Sequence, residues 1–188
     1  MNMNIMIVGV GGQGSLLASK LLGHLLLTQG LDVKVSEVHG MSQRGGSVVT
    51  YVKCGDKVAS PVIDIGEADY IVSFELLEAA RWLPYLKKDG TIVTNSQQID
   101  PMPVITGAAD YPEDLIEKMK ATGAQVDAMD CLALAEEAGS QKAVNLVLMG
   151  RLSHYFDLPE EAWMKAIEEM VPPKFVEMNK KAFLLGKG

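Results

Sequence analysis

Cysteine and histidine are both scarce in this sequence. Cys54 and Cys131 are the only two cysteines, which is too few for a four-cysteine iron–sulfur site. We expect both to be buried as small apolar side chains. The three histidines, His24, His39 and His154, are scattered and lack neighbouring carboxylates at metal-ligand spacing. The chain alone is therefore predicted to hold no metal ion and no cluster.

The sequence also has fewer basic than acidic residues. Lysine and arginine total 17 against 24 acidic residues, for a net charge of −7, so no basic stripe is present for nucleic-acid phosphates. No apolar run reaches the roughly 20 residues that span a bilayer, and the N-terminus lacks the segments of a signal peptide. These absences predict a cytoplasmic protein with no nucleic-acid or membrane partner. Residues 1–188, of which 48% are hydrophobic, are predicted to form a single domain.

Several catalytic motifs are missing as well. The sequence has no G-x-x-x-x-G-K-[ST] loop. It also lacks a Gly-Asp-Gly followed by an Asn-Asn pair, the usual mark of a thiamine diphosphate–magnesium site. No convincing nucleophile and base are found. We therefore expect a binding component and assign no catalytic residue.

A glycine-rich turn near the start is the strongest feature present. An apolar run leads to residues 9–14, Gly-Val-Gly-Gly-Gln-Gly, and an apolar-periodic segment follows over 16–27. This order predicts a strand, a tight turn and a helix, with Gly9, Gly11 and Gly14 at the G-x-G-x-x-G spacing. The helix would direct free N–H groups and its positive dipole end towards a ligand above the strand.

Two interpretations of this turn stay open, because its glycines either allow tight strand–helix packing or bind an anion. A dinucleotide site would also need an acid at the end of the second strand, for which Glu37 is the candidate. A long loop follows Glu37, and Gln13 replaces the small or apolar residues common at its position, so NAD binding is the less favoured alternative. The candidate ligand-binding residues of the turn are Gly9, Gly11, Gly12, Gln13 and Gly14.

The second candidate is a polar loop at residues 39–46, which reads His-Gly-Met-Ser-Gln-Arg-Gly-Gly. Arg44 can hold a phosphate or carboxylate through two hydrogen bonds, and the following glycines leave backbone N–H groups open. A solvated surface loop is the alternative, and His39 is as compatible with a structural hydrogen bond as with acid–base chemistry. The candidate ligand-binding residues of this loop are Ser42, Gln43, Arg44 and Gly45.

The rest of the chain alternates strands with helical segments. Strands are predicted at 32–38, 47–53, 70–73, 91–94 and 124–129, with a short one ending at Pro61 and an edge strand near 104–105; helices are predicted at 75–86, 112–122 and from 130 almost to the end. A hairpin turn at 54–57 makes the sheet mixed. The predicted fold class is α/β, a three-layer Rossmann-like domain with a mixed, mostly parallel sheet and a helical C-terminal third. If the strands before the two loops are parallel neighbours, both loops lie at one edge of the sheet.

Four other polar residues have plain structural explanations. Asp130 most simply caps the helix that follows it, and Asp127 flanks the same strand end. Asn95 follows a strand, where turn formation competes with ligand binding. Asn145 lies in an apolar helical segment and would need a partner if buried, such as a loop.

The turn at 9–14 and residues 37–46, Glu-Val-His-Gly-Met-Ser-Gln-Arg-Gly-Gly, together resemble the gamma-type component of 2-oxoacid:ferredoxin oxidoreductases. The similarity extends from Asn4 to about Phe183 and is greatest to the indolepyruvate members of that family. It implies a subunit of an enzyme that oxidatively decarboxylates a 2-oxoacid, such as indolepyruvate or pyruvate, to acyl-coenzyme A, with electrons passing to ferredoxin. A free-standing nucleotide- or dinucleotide-binding module is the alternative.

In such a complex, the resemblance implies that thiamine diphosphate, Mg²⁺ and the iron–sulfur clusters lie on a larger partner subunit, through which ferredoxin is reached. The gamma-type subunit packs against that catalytic core and, in related enzymes, helps to hold coenzyme A. The matching positions here are 9–14 and 42–45, where a helix N-terminus and Arg44 suit a pyrophosphate group. The particular 2-oxoacid would be selected mostly elsewhere in the complex.

Overall fold

The computed structural model describes residues 2–39 and 46–188 and centres on a six-stranded sheet. The strands are β1 (Met3–Val10), β2 (Asp32–His39), β3 (Ser47–Gly55), β4 (Ala68–Ser73), β5 (Leu86–Asn95) and β6 (Gln125–Met129). Their order is β2-β3-β1-β4-β5-β6. Strand β3 runs antiparallel to β1 and β2, whereas β1, β4, β5 and β6 run parallel. The prediction of a mixed, mostly parallel sheet is confirmed.

Helices cover both faces of this sheet. They are α1 (Ser15–Thr28), α2 (Leu76–Trp82), α3 (Met102–Ile105), α4 (Leu115–Ala121), α5 (Cys131–Ala138), α6 (Val144–Leu152), α7 (Glu160–Met170) and α8 (Val176–Lys187). Helices α1 and α5–α8 share one apolar core with the sheet, and α2 and α4 share the other. The three layers and the helical C-terminal third are as predicted. In the described part of the chain, no helix is long and apolar enough to cross a membrane.

The central strand β1 explains why the sheet is buried on both sides. Side chains alternate along a strand, so Ile5 and Ile7 face the core beneath α1, while Met6 and Val8 face the core beneath α2. All four are fully buried. A strand buried on both faces reads as a continuous apolar run, which is how this one appears in the sequence. Both cysteines are buried, as expected.

Two glycines bring α6 and α8 into backbone contact. A Cβ added to Gly150 would lie 2.0 Å from the carbonyl oxygen of Phe183, and one added to Gly186 would lie 2.0 Å from that of Val147. Such distances leave no room for a side chain, because the obstructing atoms belong to the backbone. Glycine at both positions therefore allows the last helix to pack directly on α6, which in turn packs on the sheet.

Three local predictions are wrong. Residues 56–67 form no strand before Pro61; the Val58 N–H instead donates to the Asp32 carboxylate at 2.8 Å. Residues 102–105 form the helical turn α3 rather than an edge strand, since Pro101 and Pro103 cannot donate to a sheet and suit a helix start. Strands β1 and β2 are not neighbours, because β3 lies between them.

Candidate functional site

The glycine turn joins β1 to α1 as predicted. Gly12 and Gly14 both have φ of +91°, a left-handed conformation that glycine adopts without strain. A Cβ on Gly9 would lie 2.9 Å from the Phe74 Cβ and 2.8 Å from Gln13 Oε1. Gly9 therefore allows the ends of β1 and β4 to approach closely, which supports the packing interpretation for this one glycine.

The Gln13 side chain closes the turn. Its Oε1 accepts a hydrogen bond from the Val10 N–H at 2.9 Å, and its Nε2 donates to the carbonyl oxygen of Phe74 at 3.1 Å. Both ends of the amide are thus engaged within the protein. Gln13 fixes the turn to the end of β4 and holds the start of α1 in place.

The first turn of α1 is open to an anion. Gly14 precedes the helix and provides no side-chain cap, and the first turn contains no acidic residue. The first N–H groups of a helix have no partner inside it, and its dipole favours negative charge there. These features are compatible with the anion-binding interpretation of the turn.

The Asn145 side chain supports the start of α1 through a hydrogen bond to the turn that precedes it. Its side chain is only 3% exposed, and Nδ2 donates to the Gly14 carbonyl oxygen at 3.4 Å while Oδ1 accepts from the Leu146 N–H at 2.9 Å. The expectation that Asn145 bonds a loop is confirmed. An added Cβ on Gly14 would lie 3.1 Å from Asn145 Nδ2, so a side chain here would crowd this contact.

A cleft of about 360 Å³ opens beside the turn. Its lining residues are Gly12, Gly14 and Gln13 from the turn, Gln97 and Ile99 after β5, and Leu132, Gln141, Lys142 and Val144 from the helical region. Among these described lining residues Lys142 is the only charged one. No carboxylate lines the cleft within the described ranges, although the whole chain carries a net charge of −7. The charge of this lining is compatible with a negatively charged group.

Sequence reasoning missed Lys142, Gln97 and Ile99. Each lies far along the chain from the turn, and no local pattern marks any of them. The fold brings them to the cleft because Gln97 and Ile99 follow β5, while Lys142 lies in the short 3₁₀ turn Gln141–Ala143 before α6.

The polar loop is described only at its flanks, because Ser42, Gln43, Arg44 and Gly45 lie outside the described residues. Strands β1 and β2 point the same way across β3, so both loops leave the same edge of the sheet. The Gly11 N–H donates to the carbonyl oxygen of Gly46 at 3.1 Å. The end of the polar loop thus touches the glycine turn, although the two preceding strands are not neighbours.

Two of the other candidate side chains, Asp130 and Asn95, take structural roles in the described contacts. Asp130 caps α5, with Oδ1 accepting from the Ala133 N–H at 3.0 Å. Asn95 is fully buried, accepts from the Cys131 N–H at 3.1 Å and donates to the Phe74 carbonyl oxygen at 3.2 Å. Glu37 lies two residues before the end of β2.

The Asp127 side chain links β6 to α6 through hydrogen bonds. Its Oδ2 accepts from Arg151 Nε at 2.7 Å and from the Tyr155 hydroxyl at 2.8 Å. Burial, with the hydrogen bond to Asp127, raises the pKa of Tyr155 to about 12. The hydrogen bond to Asp127 raises the pKa of Arg151 as well. The raised pKa values mean that the Arg151 guanidinium and the Tyr155 hydroxyl both keep the protons that they donate to Asp127.

Alkaline pH should therefore destabilise the protein. A folded-state pKa above the unfolded value means that the folded chain holds the Tyr155 proton more tightly, so the stabilisation is complete below about pH 10 and is lost as pH rises through about 12. We expect Tyr155→Phe to make the thermal midpoint fall less steeply over this range, measured by circular dichroism. An equally steep fall in wild type and variant would contradict this role for Tyr155.

The described residues contain no group of three His, Cys, Asp or Glu side chains placed to hold a metal ion. Cys131 lies at the first position of α5 and is fully buried. Burial and the nearby acids Asp130 and Asp127 raise its pKa, which disfavours the reactive thiolate.

The fold and the glycine turn together define a Rossmann-like α/β domain, a class in which ligands commonly bind at the carboxyl ends of the parallel strands. The chain belongs to the pyruvate ferredoxin/flavodoxin oxidoreductase family, whose sequence profile matches residues 4–188. It is 46% identical over 190 residues to indolepyruvate oxidoreductase subunit IorB of Thermococcus kodakarensis, an alignment that covers 97% of this chain and 93% of that protein. The resemblance drawn from the two loops is confirmed, and with it an oxidoreductase subunit rather than a free-standing nucleotide-binding module.

Solved structures share the fold. Pyruvate oxidoreductase subunit PORC from Thermotoga maritima is 21% identical with a TM-score of 0.77, and the match covers 98% of this chain and 94% of that one. A 2-oxoglutarate:ferredoxin oxidoreductase from Magnetococcus marinus, with 2-oxoglutarate, coenzyme A and succinyl-CoA bound, is 19% identical with a TM-score of 0.72. That match covers 99% of this chain but 30% of the other, so the same fold occurs there within a longer polypeptide.

Proposed function

We propose that this subunit works in a 2-oxoacid:ferredoxin oxidoreductase by binding part of coenzyme A and packing against a larger subunit. That partner would carry thiamine diphosphate, Mg²⁺ and the iron–sulfur clusters and would pass electrons to ferredoxin. The identity to an indolepyruvate oxidoreductase subunit supports indolepyruvate as the 2-oxoacid. A cytoplasmic location is consistent with this role.

The cleft beside the glycine turn carries the proposal for coenzyme A. It joins an uncapped helix start to Lys142 and excludes carboxylates from its described lining. The pyrophosphate of coenzyme A carries the opposite charge, and helix N-termini and cationic side chains are its common partners in proteins. A cleft of about 360 Å³ takes a portion of the coenzyme, which leaves the remainder to another chain.

In this proposed role the chain binds and orients coenzyme A. Gly12 and Gly14 let the backbone approach the pyrophosphate, while Gln13 and Asn145 hold the turn in shape through their own hydrogen bonds. Arg44 lies outside the described residues, and its guanidinium is assigned a two-bond contact to the phosphate on the basis of its sequence position alone. Proton transfer is not assigned to any of these residues.

Purification of the tagged full-length chain from its own cells tests the subunit assignment. We expect a larger polypeptide to co-purify, with the visible absorption of iron–sulfur clusters and with bound thiamine diphosphate. A co-purifying polypeptide that lacks cluster absorption and thiamine diphosphate would contradict the assignment of these cofactors to the partner.

Coenzyme A kinetics in the purified complex test the cleft. Losing one charge-assisted contact is worth roughly 1.4 kcal/mol, so Lys142→Ala and Arg44→Ala should each raise the KM for coenzyme A about tenfold. We expect kcat at saturating coenzyme A and the thermal midpoint to stay close to wild type.

Lys165→Ala is the matched control. Lys165 is an exposed lysine of α7 that does not line the cleft, so the substitution removes the same charge at a distant position. Its KM for coenzyme A should not change. If Lys142→Ala or Arg44→Ala leaves that KM at the wild-type value, the substituted residue does not belong to the site.

A further inference from the structure

Helix α3 presents two of the most exposed large apolar side chains of the described residues. Met102 is 67% exposed and Ile105 is 66% exposed. Prolines at 101 and 103 flank the first turn and define where the helix begins. We call residues 100–110 the acidic-apolar tip. Neither of its large apolar side chains belongs to the two cores of the domain.

One buried carboxylate holds both ends of this tip. Glu75 is 1% exposed, and its Oε1 accepts from the Ile99 N–H at 3.1 Å and from the Tyr111 hydroxyl at 2.6 Å. The Tyr111 oxygen also accepts from the Leu77 N–H at 3.0 Å. These hydrogen bonds hold both ends of the tip in place, so little conformational entropy remains to be lost when a partner binds.

The charge around the tip has one sign. Asp100, Asp110, Glu113 and Asp114 are the charged residues between 97 and 114, and no lysine or arginine occurs in that stretch. An apolar pair with acidic residues around it is complementary to an apolar pocket with a basic rim. This argues against a second copy of the same acidic surface as the occupant.

The tip adjoins the cleft. Gln97 and Ile99 line the cleft, and the chain continues from Ile99 directly into the tip, at the edge where β1, β4 and β5 end. Under the proposed function, the coenzyme is shared between this chain and a reactive centre on another polypeptide, so it would lie between the two chains. The other polypeptide must therefore approach along this edge.

We propose that the acidic-apolar tip is the surface that docks the larger, thiamine-binding subunit, with Met102 and Ile105 entering an apolar pocket that basic residues surround. This inference rests on the proposed function, because it names the surface by which that subunit is held. The tip positions the partner over the cleft and has no part in the chemistry.

Binding of the full-length chain to the purified larger subunit tests the proposal by biolayer interferometry. Met102→Ala/Ile105→Ala should raise Kd about 30-fold, since buried apolar anchors contribute about 1 kcal/mol each. Raising salt from about 0.05 to 0.5 M should weaken wild-type binding, and less so for Asp100→Asn/Asp110→Asn, because salt screens the acidic residues.

Val62→Ala/Ile65→Ala is the matched control. These aliphatic side chains are 52% and 71% exposed but precede β4 at the opposite edge of the sheet, so Kd should stay at the wild-type value. The thermal midpoint of each free variant verifies folding.

The outcomes separate the two proposals. Wild-type affinity in the Met102→Ala/Ile105→Ala variant overturns the docking surface and leaves the subunit assignment standing. Failure of the wild-type chain to bind the larger subunit overturns both. Self-association of the free chain that this variant abolishes would assign the tip to a second copy and also overturn the inference.

Discussion

Gly150→Ala is expected to lower the free energy of unfolding by about 3 kcal/mol or more, the upper range for overpacking a well-packed core. The added methyl group would lie 2.0 Å from the Phe183 carbonyl oxygen, so α6 and α8 must separate. Gly186→Ala meets the Val147 carbonyl oxygen at the same distance and should cost as much. Urea unfolding followed by circular dichroism measures both.

Gly23→Ala is the matched control, because it also adds a methyl group to a buried helical glycine. Its Cβ would meet only Val35 Cγ2, at 3.3 Å, and alanine favours the helix by about 0.5–1 kcal/mol. We expect a small change in the free energy of unfolding, of either sign. A loss in Gly150→Ala no larger than in the control would mean that α6 and α8 are not in backbone contact.

Removing the Glu75 carboxylate should have the second largest effect. Glu75→Ala leaves three donors without their acceptor, namely the N–H groups of Glu78 and Ile99 and the Tyr111 hydroxyl. Each unsatisfied buried group costs about 1–3 kcal/mol, so we expect a loss near 3 kcal/mol after relaxation. The Ile99 amide should also exchange its hydrogen with solvent faster than the lower global stability alone explains, because the segment around Ile99 opens locally when its hydrogen bond to Glu75 is lost.

Two variants make this result specific. Glu75→Gln keeps one acceptor oxygen and should lie between wild type and Glu75→Ala. Glu117→Ala removes an exposed carboxylate that pairs with Lys120 and should change stability by less than about 0.5 kcal/mol. If Glu75→Ala unfolds at the wild-type urea concentration, the hydrogen bonds to Glu75 do not secure the tip.

The sheet and the glycine turn follow from local pattern, whereas the strand order does not. The apolar run before Gly9 and the alternation over 47–53 predict two strands, and the structure places β1 and β3 there. Alternation does not specify which strand a strand pairs with, so the insertion of β3 between β1 and β2 was missed. At Pro103 the lack of an N–H outweighed the apolar character of Val104 and Ile105.

Only the glycine-turn side of the cleft is predictable, for the same reason: three of its nine described lining residues belong to the turn. The turn at 9–14 carries a spacing that indicates an anion site, and Asn145 draws attention as a polar residue in an apolar helix. Lys142 is one solvent-exposed lysine among many until the fold brings it beside the turn. Its role depends on long-range packing, which leaves no mark on the neighbouring sequence.

The position of β3 also has a consequence for the order of folding. Strands β1, β2 and β3 pair only with each other up to Gly55, whereas β1 must wait for residues beyond 67 before its other edge is covered. Pairs that are close in sequence close smaller loops and form faster. On the ribosome, we therefore expect the glycine turn to form with β1, β2 and β3 first, and the neighbouring strands β4 and β5 to be added as they emerge.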